Sequence, residues 1–251
     1  MSLVKVETNG AVRTVTLNRP EKRNSLNEEM MEELRAAFAV EPPAEERVTV
    51  LRGEGPAFCG GLQLATTGVD PEQAVIIEQM FDAVQRYPLP VVAVVHGPGI
   101  AGGCELALHC DFVVASSETY LMMPLAQMGV STTWFLTKKI MSSAGPVQGR
   151  EFLLLGDQMP ATRLHDLGII SRVAAPDELE AVTKKLVDRL AMNAPISMRT
   201  MKAIMLRQMD VQFHAEHSAL DDRALNTYGT RDAVEGVAAR LEKRIPTFEG
   251  R

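Results

Sequence analysis

The sequence predicts an α/β fold that ends in helices. Three observations carry this reading. Short β-rich runs alternate with helical periodicity through the first half of the chain. One of those runs leads straight through the glycine-rich stretch GPGIAGG, residues 97–103, into an apolar helical stretch. Beyond Gln127 strand signals nearly vanish, apart from residues 168–173. A break at Asn193-Ala194-Pro195 divides the expected α/β core, 1–194, from a helical C-terminal region, 195–251.

Val4 and Val6, then Val12, Val15 and Leu17, lie on two β-rich runs either side of Asn9-Gly10. Both turn residues tolerate positive φ, so the dipeptide predicts a tight hairpin. A polar loop, 18–25, precedes a helical pattern over 27–40, which Pro42-Pro43 stops. A buried strand at 48–51, a helix over 71–85, a strand at 91–95, a helix over 101–109 and a strand at 112–115 follow. Leu179, Val182, Leu186 and Leu190 mark one face of a later helix opened by Pro176-Asp177; Ile196, Met201, Ile204 and Met205 mark the next. Both stripes are expected to pack into the core.

Composition narrows the partners. The 251 residues suffice for a core that buries roughly 70–75% of the unfolded surface. A formal charge of −6 and a pI near 5.5 argue against nucleic acid or an anionic membrane as the main partner. Cys59, Cys104 and Cys110 are odd in number and lack metal-ligand spacing, so they read as reduced thiols of a cytoplasmic protein without a zinc site. MSLVKVETNG has no signal-peptide order, and the longest apolar stretch, 89–95, falls far short of a membrane span of about 20 residues. A soluble cytoplasmic protein is expected.

Two glycine-rich turns carry the chemistry. A strand that runs into such a turn and then a helix leaves unpaired backbone N–H groups where the helix dipole favours negative charge. Gly102 and Gly103 also let a ligand approach the backbone closely. Glu105 lies three residues past Gly102, so its carboxyl shares a helix face with the Gly102 amide. Its apolar neighbours Cys104, Leu106, Ala107 and Leu108 desolvate it and raise its pKa, against the dipole. A second loop of the same kind, GEGPAFCGGLQL at 53–64, also follows a strand. Two amides from two such turns, converging on one oxygen, would make an oxyanion hole.

The stretches LNRPEKRNSLN (17–27), VLRGEGPAFCGGLQL (50–64), PVVAVVHGPGIAGGCELALHCDFVVAS (90–116), LGIISRVAAPDEL (167–179) and EGVAARLEKRIPTF (235–248) together resemble the crotonase superfamily, the enoyl-CoA hydratase/isomerase family. The resemblance spans essentially the whole chain. It implies a crotonase-like spiral of ββα units and a helical C-terminal region used in trimerisation, as a homotrimer or dimer of trimers. It implies an acyl-CoA thioester substrate, coenzyme A being part of the substrate and no separate cofactor being needed. By motif alignment the amides of Leu62 and Gly102 would hold the thioester oxygen and Glu105 would be the acid/base. Gly60, Gly61, Gln63, Leu64 and Gly103 would surround them. Arg19, Lys22, Arg23 and Ser25 of the polar loop, with Lys243 and Phe248 near the C-terminus, would meet the coenzyme. His96 reads as structural.

The resemblance also exposes departures. Family hydratases carry a second glutamate where this sequence has Leu125, in MMPLAQMG. One carboxyl can still remove and return a proton beside a thioester, but water addition loses an anchor. The stretch GVSTTWFL, 129–136, is shorter than the family's loop, so the acyl pocket should be reshaped around Leu125 and Trp134, with Met122, Met123 and Met128 as pocket wall or core. Ser131 or Thr132 suits the N-cap of the helix carrying Trp134. Double-bond isomerisation or slow hydration is expected ahead of efficient hydration. Decarboxylation or dehalogenation of an acyl-CoA, or silent acyl-CoA binding, are the other readings.

Overall fold

The computed structural model describes residues 2–64, 71–211 and 218–249. β1 (Val4–Asn9) and β2 (Val12–Leu17) form the antiparallel hairpin, with Gly10 at φ 57° in its turn. Parallel strands β3 (Val48–Gly53) and β4 (Val91–Val95) follow in the sheet. β5 (Gly99–Ile100) leaves that sheet, and β6 (Phe112–Ser116) rejoins it beside β4. β7 (Tyr120–Met122) and β8 (Met159–Pro160) complete a small sheet of order β5-β7-β8. β9 (Arg172–Ala174) closes the main sheet, of order β1-β2-β3-β4-β6-β9.

The run VVAVV of β4 is buried throughout because both of its faces are covered. Val91, Ala93 and Val95 point into the larger core, shared with α1 (Glu28–Phe38), α2 (Pro71–Arg86) and α3 (Gly102–His109). Val92 and Val94 point the other way, onto Leu179, Val187 and Leu190 of α6 (Leu179–Ala191). The period of two in side-chain direction thus splits one apolar strand between two cores. α1 starts at its cap Asn27, whose side chain accepts from Met30 N. α4 (Trp134–Arg150) and α5 (Ala161–Asp166) lie between β7 and β9, and α7 (Pro195–Val211), α8 (Ser218–Thr227) and α9 (Arg231–Glu242) end the chain.

Four expectations need correction. Residues 168–171 are not strand: Gly168 is left-handed at φ 74°, and Ile169 N bonds back to Leu164 O, so the β-branched pair closes α5 before β9 begins. β8 lies in a region read as strandless, because two paired residues carry no periodicity. The cap of α4 is Thr133, not Ser131 or Thr132, and its hydroxyl bonds the Glu78 carboxylate of α2 instead of a helix amide. The stripe of α7 is not core in this chain: Ile196, Met201, Ile204 and Met205 are exposed, while Met198 and Lys202 turn inward. Lys202 fixes α7 to the core through Asp111 at 2.6 Å and Leu89 O at 3.1 Å.

Asn24 joins the two loops that approach the site. It is fully buried, at φ 53°, and its Nδ2 donates to the carbonyls of Glu54, Ala57 and Phe58 at 2.8, 2.9 and 3.2 Å, while Oδ1 accepts from Arg19 N at 2.9 Å. Asn24→Ala orphans these groups and replaces a residue that tolerates the left-handed region with one that does so less well. A loss of about 3 kcal/mol is expected in urea unfolding; a loss within experimental error would show that water replaces the amide without penalty.

Candidate active site

The site begins with two peptide planes. Leu26 N donates to Gly61 O at 2.8 Å and Gln63 N to Leu26 O at 2.8 Å, so the 53–64 loop runs as a short bridge beside Leu26. In a trans peptide the N–H points opposite to the C=O. The bond on Gly61 O therefore turns the Leu62 N–H away from Leu26. Likewise Glu105 N donates to Ala101 O at 3.0 Å along α3, which turns the Gly102 N–H out of the helix start. Among the described residues neither amide donates to a backbone carbonyl. The two turns abut: a Cβ on Gly61 would stand 3.2 Å from Gly102 N and 2.5 Å from Ile100 O.

Glycine is needed here for contact as well as conformation. A Cβ on Gly103 would meet Cys59 O at 2.1 Å, because Ile100 N bonds Cys59 O and draws the two turns together. Ala101, between them, sits at φ 48°, ψ −113°, a conformation that costs a non-glycine residue about 1–3 kcal/mol. It is held by Ala101 N donating to Met122 O at 2.8 Å and by the α3 bond on its own carbonyl. Residues 97–102 also spell G-x-G-x-x-G, but β5 intervenes before the helix, so these glycines do not form a single phosphate loop.

Glu105 is fully buried, and neither carboxyl oxygen has a hydrogen-bond partner among the described residues. Burial pushes its pKa well above the carboxylate range; the Lys139 charge opposes this and the Glu78 charge adds to it. Behind it stands His109, its ring stacked between Phe81 at 5.0 Å and Phe135 at 5.2 Å. His109 Nδ1 lies 2.8 Å from Glu105 O and 3.5 Å from Glu105 Oε2. Burial, with the Lys139 charge, holds the imidazole well below its ordinary pKa, so the contact is between two neutral groups rather than an ion pair.

Leu62, Gly102 and Glu105 line one cavity of about 110 Å³. Of the other sequence-predicted site residues, Gly60, Leu64 and Leu125 line it too, as do Met123 and Met128. Gly61 and Gly103 lie behind the turns; Met122 is core in β7, and Trp134 does not line the cavity. At the loop, Arg19 Nη1 donates to Gln63 Oε1 at 2.6 Å, Ser25 O at 3.1 Å and Ser25 Oγ at 3.4 Å. Lys22 and Arg23 are exposed beside it; Lys243, the left-handed cap of α9, and Phe248 are exposed at the other end of the chain. His96 Nε2 bonds Gly55 O at 2.8 Å. The three cysteines are buried free thiols.

Comparison with known proteins decides the family. The enoyl-CoA hydratase/isomerase family model matches residues 7–251. The chain belongs to the enoyl-CoA hydratase/isomerase family. It is 34% identical over 257 residues to a putative enoyl-CoA hydratase of Thermus thermophilus, covering 98% of this chain and all of that one. Its fold superposes on methylmalonyl-CoA decarboxylase bound to 2-nitronate-propionyl-CoA with a TM-score of 0.89, at 25% identity over 99% of both chains. An enoyl-CoA hydratase/isomerase from Xanthobacter autotrophicus gives 0.83 at 30% identity, covering 96% of this chain and 94% of that one. The architecture is the crotonase fold.

Sequence reasoning did not single out three residues that the structure places in or beside this cavity: His109, Tyr228 and Arg240. His109 read only as the end of α3, though four residues after Glu105 places it on the same face. Tyr228 and Arg240 line the cavity from the C-terminal helices, and only tertiary packing brings them there.

Because the folded state holds the Glu105 proton to a higher pH than the unfolded chain, stability falls as pH rises above the unfolded value of about 4.3. Glu105→Gln should therefore gain stability over the parent between pH 5 and 8, with the difference closing toward pH 4 in urea titrations. A difference that does not change with pH would show that the carboxyl is not held protonated.

Proposed function

We propose that this chain binds an acyl-CoA thioester with its carbonyl oxygen between the Leu62 and Gly102 amides and uses Glu105 as its one acid/base, moving a double bond rather than hydrating efficiently. The observation that carries the reading is the meeting of two backbone donors from separate turns with a partnerless carboxyl in one largely apolar cavity. Ionised Glu105 takes a proton from the carbon next to the thioester carbonyl of a 3-enoyl chain. The C–H electron pair passes into the enolate, whose oxygen charge the two N–H groups stabilise. Glu105 then returns the proton to the far carbon of the three-carbon system, giving the 2-enoyl thioester. Burial of Glu105 suits it to both steps, since a raised pKa brings acid and base forms closer in energy.

Hydration would need a second group to hold water on the other side of the chain. Among the described lining residues Glu105 is the only acid, and Leu125 stands where the resemblance places the second glutamate. On this reading Lys22, Arg23 and Lys243 meet the coenzyme's phosphates, and the exposed face of α7 is buried in a homotrimer or a dimer of trimers. No separate cofactor enters the reaction, and the cytoplasm is its proposed location. A second reading, decarboxylation of an acyl-CoA, is favoured by the 0.89 superposition on methylmalonyl-CoA decarboxylase. Loss of carbon dioxide leaves the same enolate without a base, so Glu105 would then serve only to protonate it.

Glu105→Gln should lower the isomerisation kcat by about 10²–10⁴-fold while 3-enoyl-CoA affinity stays within a few-fold. An unchanged rate removes Glu105 from the mechanism, and activity confined to a carboxylated acyl-CoA favours decarboxylation. Leu125→Glu should raise the hydration rate of a 2-enoyl thioester at least about tenfold if the missing water anchor is what limits it. No gain assigns the limit to the altered 129–136 loop.

A further inference from the structure

One wall of the cavity carries a charge that an ordinary fatty acyl chain does not use. Apart from Glu105 and the two turns the walls are largely apolar, formed by residues such as Ile77, Leu125, Met128, Val130 and Leu136. Arg240 is the only cation among the described lining residues, and Tyr228 supplies the only hydroxyl. Two backbone contacts fix them there. A Cβ on Gly236 would strike Met128 O at 2.3 Å, and one on Gly129 would strike Asp232 O at 2.5 Å, so α9 lies directly on the 125–129 turn. Arg240, four residues after Gly236, is on the same helix face and so reaches the cavity wall. Ser131 N donates to Thr227 Oγ1 at 2.8 Å, which holds the neighbouring Tyr228 against the loop after that turn.

The guanidinium is also unclaimed. Arg244, one turn on, takes Glu235 at 2.5 Å and Glu242 at 2.6 Å, whereas no carboxylate lies within 4.0 Å of Arg240 among the described residues. Burial and the Glu78 charge push the Tyr228 phenol up to about 12, so it remains an O–H donor at neutral pH. Glu78 itself accepts from the Thr133 hydroxyl. An apolar tail filling this cavity would leave the donors of Arg240 that face it without a partner. A carboxylate there would receive a planar, two-pronged donor and a hydroxyl.

We propose that Arg240 and Tyr228 form a receptor for an anionic group at the distal end of the acyl chain, so that the preferred substrates are monothioesters of dicarboxylic acids. This rests on the reading of the cavity as the acyl site. The test compares coenzyme A thioesters of equal length, a six-carbon 2-enoyl chain and the same chain ending in a carboxylate, by calorimetric affinity on Glu105→Gln, Glu105→Gln/Arg240→Gln and Glu105→Gln/Tyr228→Phe proteins. The carboxylated thioester should bind about tenfold more tightly, as a two-pronged charge-assisted pair on the cavity wall allows. Arg240→Gln should abolish that preference without weakening the apolar thioester, and Tyr228→Phe should reduce it several-fold. Equal weakening of both thioesters by Arg240→Gln would assign the arginine to the coenzyme's phosphates and overturn the proposal, as would a preference for the apolar chain in the parent. Discrimination is read as binding, so it survives a failure of the Glu105 chemistry. Loss of all thioester binding in the parent would instead sink the acyl-site reading itself. Arg240 is exposed and outside the core, so its replacement leaves folding intact, which a thermal melt checks.

Discussion

The hydrogen bonds from Leu26 N to Gly61 O and from Glu105 N to Ala101 O decide which way two other amides face, and the site is built on that choice. Each bond occupies the carbonyl of a peptide unit and thereby orients the N–H on its opposite side. Neither Leu62 nor Gly102 needs a particular side chain for this purpose. What they need is neighbours that permit close approach. Hence the glycines: a side chain at 61 would collide with Ile100 O, and one at 103 with Cys59 O. The strain at Ala101 follows from the same geometry, since the chain must leave β5, bond Met122 and enter α3 within one residue. Pre-set donors need no rearrangement when charge develops on an oxygen between them, which is the circumstance in which such donors stabilise it most.

The proposed acid/base role would place two opposed demands on a carboxyl beside these two amides. It must be desolvated enough to exchange protons with carbon acids, and it must not collapse into an ion pair that holds it charged. α3 meets the first by burying Glu105 among apolar residues. The Phe81–His109–Phe135 stack meets the second, because an imidazole pressed between two phenyl rings is kept neutral and offers Glu105 contact without a counter-charge. Lys139, the nearest opposing influence, is itself depressed by burial and donates to Gln85 Oε1 at 3.1 Å.

Much of this was legible in the residues, for identifiable reasons. Asn9-Gly10 announces the hairpin because only small or αL-tolerant residues make so tight a turn, and VVAVV announces a doubly covered strand. The two turns and Glu105 could be nominated because glycine-rich stretches follow strand ends and Glu105 sits at helical spacing from one, whereas Leu62 and Gly102 are picked out within them as the donors only by motif alignment with the family. Elements of two or three residues, such as β5 and β8, leave no periodic trace. Thr133 caps α4 because its hydroxyl is drawn to Glu78, 55 positions away, and a local rule that ranks Ser131 or Thr132 cannot see that partner. The apolar face of α7 reads as core because apolarity shows that a surface wants cover but not what covers it.

The same limit explains why the cavity's chemistry divides as it does. The groups of the proposed reaction are local: both amides and Glu105 come from two turns and one short helix, and their placement is set by spacing along the chain. Tyr228 and Arg240 are remote in sequence: Arg240 reaches the cavity because α9 lies backbone-to-backbone on the 125–129 turn through Gly236 and Gly129, and Tyr228 because Ser131 N bonds the adjoining Thr227. On the proposed reading, Leu125 leaves the reacting end without a second polar group and adds an apolar wall to the cavity that Arg240 also lines, the one guanidinium among the described lining residues. On that reading the reaction would be selected by what the first turns omit and the substrate by what the last helix adds, so the two properties could vary independently on one backbone.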